Sequence, residues 1–92
     1  MTNATRQMIE KSYENSQPYF DKMVEALKDG NEEMAEEYLS CVTEQMDSLM
    51  HGLLWLAKVD ELEGKELMSE LNRASHFKVV AEVTFEKTVG TY

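Results

Sequence analysis

Glu44, Asp47 and His51 stand at i, i+3 and i+7, a spacing that places two carboxylates and an imidazole on one face of a helix, where they could share a divalent cation. A two-metal helical bundle draws a Glu from each of two helices and a Glu-x-x-His pair from each of two more. No other stretch of the chain supplies that second half. The spacing therefore predicts a solvated or salt-bridged face, and carboxylate–histidine metal binding stands third among the functional readings. His76 and the many paired carboxylates add nothing, because exposed helix faces give no reason for a pKa suited to acid–base work. There is no Gly-rich phosphate loop, no Ser/His/Asp arrangement in a plausible setting and no cysteine pair. Cys41, the single cysteine, reads as a small buried thiol, with an intermolecular disulfide as the alternative. These residues predict a non-enzymatic protein without catalytic centre, metal or cofactor.

The element that must carry Glu44, Asp47 and His51 is the run from Asn31 to Lys58. Its apolar residues, from Met34 and Ala35 through Tyr38, Leu39, Val42, Met46, Leu49, Met50 and Leu53 to Leu56 and Ala57, follow the stripe of a helix with one wet face. Asn31 is placed to cap it, with Glu32 and Glu33 at the positive end of its dipole. Unbroken to Lys58, such a helix would be ~40 Å long, against a radius of gyration of ~12 Å for a compact chain of this size. Either Gly52 marks a bend, or the molecule is elongated and shares its apolar face with a second copy; the second is favoured. Met23, Met34, Met46 and Met50 suit an adaptable interface or an ordinary core equally.

Residues 1–15 read as a partly flexible segment with at most a short or irregular helix, and residues 16–75 as the helical region of a single domain. The first full helix enters near Ser16 with Pro18 in its first turn. It presents Phe20, Met23, Val24 and Leu27 on one side and closes at Gly30, making an antiparallel hairpin with the central run. Asp60 and Glu63 have the form of a capping box, so a short third helix is predicted from Asp60 to about Ser75, burying Leu62, Leu67, Met68 and Leu71. The alternative carries the central helix to Glu63 and restarts at Lys65.

From Phe77 to Val89 the period changes. Phe77, Val79, Ala81, Val83 and Phe85 alternate with Lys78, Val80, Glu82, Thr84 and Glu86, which predicts an extended β segment over 77–89. Phe77, Ala81, Phe85 and Val89 also lie four apart, which keeps a helix open. A lone strand must find its backbone partners in another chain. The fold class expected is therefore mainly α, a helical hairpin with a short third helix and a C-terminal β segment, assembled as a homodimer.

Of 92 residues 42% are apolar and the net charge is -9. Residues 1–28 carry four basic and four acidic groups, whereas 29–57 hold seven acids and no Lys or Arg. Direct binding to a phosphate backbone is disfavoured by that balance; a basic protein surface is the electrostatic match. The longest apolar stretch, Leu53 to Ala57, is far short of the ~20 residues that span a bilayer. The start MTNATRQ lacks the apolar core of a signal peptide, so no membrane association and a cytoplasmic location are expected.

Leu53, Leu54, Trp55 and Leu56 are apolar nearly all the way round a helix, so some of them must meet a second surface. Trp55 is either enclosed by the third helix or an anchor at an interface, where Trp is over-represented. The stretch LLWLAKVDELEGKELMSEL, an apolar helix end, a Val-Asp break and an acidic helix, resembles small helical proteins of bacteria and their phages. That likeness covers roughly residues 40–71 and implies a microbial, cytosolic, non-enzymatic protein. The KDGNEE turn is similar in style to small export chaperones and adaptors built as helix pairs.

Two partner-binding readings follow. In the first, the chain is an adaptor, chaperone-like binder or inhibitor that engages a protein through Leu53, Leu54, Trp55 and Leu56 and through the tail residues Phe77, Val79, Val83 and Phe85. In the second, an acidic face of Glu33, Glu36, Glu37, Glu44 and Asp47 imitates the phosphates of DNA and occupies the basic groove of a nucleic-acid-binding partner.

Overall fold

The local capping signals build three long helices in the computed structural model, which describes residues 1–89. Thr2 opens α1 (Asn3–Lys28), its Oγ1 accepting from the Thr5 amide at 3.1 Å. Gly30, at φ 73, ends it: the Gly30 amide donates to Leu27 O and the Asn31 amide to Ala26 O at 2.8 Å, the paired bonds that close a helix through a left-handed residue. Asn31 at once caps α2 (Glu32–Lys58), its side chain accepting from the Met34 amide at 3.2 Å. Two residues thus turn the chain back on itself, and α1 and α2 lie antiparallel.

Asp60 plays the part of Gly30 at the other end. It sits at φ 62, and the amides of Asp60 and Glu61 donate to Ala57 O and Leu56 O. The expected capping box is therefore not formed; Asp60 closes α2 instead of opening the next helix, and α3 begins at Gly64 and runs to Val89. Leu62, in the linker, is nevertheless fully buried.

One expectation about helix ends is corrected. The segment 1–15 is not a separate irregular piece, because α1 is continuous with Pro18 inside it. Proline there removes one amide donor, and the carbonyl it would have served belongs to Glu14; both residues are exposed, so the lost bond falls on the wet side of the helix. Gly52 makes no break either, since α2 is a single helix of 27 residues.

The C-terminal β segment is overturned as well. Residues 77–89 belong to α3, and among the described residues there is no strand. The pattern that packs is the one four residues apart: Ala81 is wholly buried, Phe77, Phe85 and Val89 lean on the core, and Val79 and Val83 point to solvent. A helix satisfies its own backbone groups, which a lone strand cannot, and that outweighs the β preference of the six β-branched residues from Val79 to Val89. The tail thus has no need of a second chain to pair with. The third helix, expected to be short, is 26 residues long.

Helix α2 packs against both neighbours, whereas α1 and α3 meet over a shorter stretch. The molecule is elongated, 45 × 23 × 14 Å with a radius of gyration of 14.8 Å. One apolar cluster centres on Ile9, Met46, Leu53 and Leu62, the other on Met23, Ala35, Val42 and Ala81. Phe77 touches both clusters, its ring 5.7 Å from Tyr13 and 5.9 Å from Phe20.

Where α1 meets α3, Arg73 forms a bidentate pair with Glu10 at 2.6 and 2.9 Å and lies 3.9 Å over the Tyr13 ring. The Arg73 hydrogen bond holds the Glu10 carboxyl below its ordinary value of 4.5. Burial pushes the Tyr13 hydroxyl up to about 12, and its Oη has no hydrogen-bond partner among the described residues. An unbonded buried hydroxyl costs stability that a phenyl ring does not. Tyr13→Phe should therefore unfold in urea at the same or a higher midpoint, a gain of up to about 1 kcal/mol, and a clear loss would show that the hydroxyl is bonded after all.

Candidate partner-binding surface

The residues expected to bind a partner divide by helix angle. Leu53 is 0% exposed and Leu56 is also buried, both facing the core, while Leu54 is 48% and Trp55 60% exposed. Four consecutive helix positions sweep about 300° around the axis, so no single flank of α2 can take them all. Trp55 is therefore not enclosed by α3. On α3, Phe77 and Phe85 are half-buried in the core and only Val79 and Val83 reach solvent, so the four do not form one surface.

Other exposed apolar residues belong to the same end of the molecule as Leu54 and Trp55. Met8 is 63% exposed, and Val59 and Met68 are exposed too; Met68 had been expected inside. All five belong to the end where α1 begins, α2 finishes and α3 starts. The register follows from Ser16, whose Oγ lies 2.5 Å from the Gln45 side-chain oxygen: eight residues back along α1 stands Met8, eight residues on along α2 stands Leu53. Ser16 Oγ also donates to Ser12 O at 2.7 Å. With one proton for two acceptors, it is best served when the Gln45 amide is turned over and donates to it.

Between α1 and α2 lies an open groove of about 540 Å³ whose lining includes Met8, Ile9, Tyr19, Glu44, Leu49, Gly52 and Trp55. Cys41, half-buried and with a free thiol, also lines it.

The acidic face is only partly assembled. Glu33, Glu36, Glu37 and Glu44 are exposed, and none of them is ion-paired among the described residues. Asp47 is turned toward α3, where Lys78 Nζ donates to its carboxylate at 2.9 Å. That bond holds the Lys78 ammonium above its ordinary range. Glu44 lines the groove on the α1 side and His51 stands exposed, so the three residues of the suspected ligand set serve different surroundings. No group of three His, Cys, Asp or Glu among the described residues is placed to hold a metal ion. His76 is exposed within α3.

The fold and this surface define a small acidic three-helix protein with an apolar end. None of its described helices is long and apolar enough to cross a membrane. Comparison with protein-family models, with curated proteins and with solved structures finds no match for the chain.

Proposed function

We propose that this chain is a non-enzymatic protein–protein interaction module whose contact surface is the apolar end around Trp55. The observation that carries the reading is the company Trp55 keeps: an indole 60% exposed on the rim of a groove that Met8, 63% exposed, also lines. Exposed apolar residues scattered singly are ordinary, but a group of them mixed with an aromatic marks contact surfaces. Charge selects the kind of partner. A second copy approaching along α2 would bring Glu33, Glu37 and Glu44 against their like, whereas a basic protein would meet them favourably. The partner proposed is therefore a different, basic protein rather than a homodimer mate.

The rival reading, an acidic imitation of DNA, uses the same α2 but makes charge the main attraction. The two separate in one experiment. Enrichment of partners on the native chain, on Trp55→Ala and on Glu37→Gln/Glu44→Gln, each at low and high salt, should show a protein that survives salt and is lost with Trp55. A protein lost with salt and with the carboxylates, but kept by Trp55→Ala, would establish imitation of DNA instead.

A further inference from the structure

Resting on the interaction-module reading, we infer that the groove between α1 and α2 receives a short amphipathic helix of the partner, apolar on one side and flanked by Lys or Arg. Shape is the first reason. The lining runs from Met8 to Tyr19 on α1 and from Cys41 to Leu56 on α2, about 16 and 22 Å at the rise of a helix. The groove is an open trough between two helices, the form in which a third helix is gripped by side chains at i, i+3, i+4 and i+7. Exposed Met8 and Trp55 stand on its α1 and α2 walls, and buried Ile9, Leu49 and Leu53 lie beneath.

Gly52 is the second reason. It occupies the interior of α2, where glycine costs the helix about 1 kcal/mol relative to alanine. Nothing among the described residues requires it: a Cβ built there meets none of their atoms within 4 Å. The space it leaves opens into the groove. A glycine that destabilises its helix and relieves no internal contact is accounted for by close approach of something from outside.

Charge decides the occupant's chemistry. Glu44 is the sole charged residue in the lining among the described residues, and Glu37 and Glu33 continue the same α2 face at helical spacing, within a stretch from 29 to 57 that contains no Lys or Arg. A helix lying in the trough with a basic residue on its α2 flank would meet Glu44, and one that continues past Cys41 would also meet Glu37 and Glu33.

Trp55 is the only tryptophan and stands on the groove wall, so its fluorescence reports occupancy directly. The probe is a tryptophan-free synthetic helix of Leu on one stripe and Lys on the flanks, added to the full chain. Its controls are a scrambled peptide of the same composition and the same helix with Glu for Lys. The Leu/Lys helix should shift Trp55 emission to the blue and saturate, and both controls should bind at least about tenfold more weakly. Gly52→Leu, which fills the trough, should weaken binding by about tenfold or more while its circular dichroism and melting stay those of a folded chain. Gly52→Ala should melt higher than the native chain and still bind more weakly, so loss of binding cannot be laid to unfolding.

Equal binding by the scrambled peptide, or undiminished binding by Gly52→Leu, overturns the proposal. So does light scattering that shows a concentration-dependent dimer abolished by Gly52→Leu, because the occupant would then be a second copy. Failure here is separate from failure of the broader reading: a salt-tolerant partner that is lost on Trp55→Ala but kept by Gly52→Leu would leave the module standing without the groove.

Discussion

Ala81→Glu should cost at least about 3 kcal/mol and leave α3 detached or the whole chain unfolded, because it places an unpaired carboxylate in a site with no access to water. Ala81 is 0% exposed and packs with Met23, Ala35 and Val42. Val79→Glu and Val83→Glu, two residues to either side, should change stability by no more than about 0.5 kcal/mol, since both valines face solvent and glutamate is the better helix former. The contrast tests the character of the tail. In a strand Val79, Ala81 and Val83 share one face and would respond alike; in a helix only the middle one is inside. Urea midpoints that fall together for all three would bring the strand back.

Leu53→Ala is the second large effect. Leu53 is wholly buried in the cluster it shares with Ile9, Met46 and Leu62, and removing its isobutyl group leaves a cavity worth about 2–5 kcal/mol. Against the 5–15 kcal/mol total stability usual for a small domain, that is enough to lower Tm by more than about 10 °C. Trp55→Ala, two positions on, should leave Tm within a few degrees because its indole is mostly in water. A large loss of stability on Trp55→Ala, with little on Leu53→Ala, would mean that α2 is rotated about its axis from the arrangement described. The pair also keeps stability apart from binding, since both residues belong to the segment read from sequence as one contact surface.

Much of the hairpin was legible because its signals are local. The stripe from Ala35 to Leu56, the cap at Asn31 and the closing residue Gly30 all act within a few positions of themselves, and each is found where the pattern put it. The exceptions in that stretch are instructive: Met34 fits the apolar spacing but sits in the first turn of α2 and is exposed, where neither neighbouring helix covers it. Asp60 was misread because the same residue type serves two ends of a helix. Its oxygen can cap the start of one, and its tolerance of positive φ can close another. Pro18 reads as a boundary in the sequence because proline is costly inside a helix, and its exposed setting, which lowers that cost, is not written in the neighbouring residues.

The candidate surface was legible only in outline. The run Leu53 to Leu56 announces that some apolar group must face outward, but which one depends on where α1 and α3 press against α2. Met8 carries no signal in isolation; it comes to line the same groove as Trp55 because distant stretches of chain pack side by side.

By itself the sequence determined that the chain is mainly helical, that α1 and α2 fold back on each other at Gly30–Asn31, and that the excess acid rides on α2. Periodicity, caps and charge are properties of residues a few places apart, so no fold is needed to read them. Tertiary structure alone decided that residues 77–89 are helix, that Asp47 answers Lys78, and that Trp55 faces out while Leu53 faces in. Each of those outcomes turns on a contact between residues far apart in the chain, as when Phe77 lodges against Tyr13 and Phe20. Where two periods fit the same residues, such contacts choose between them.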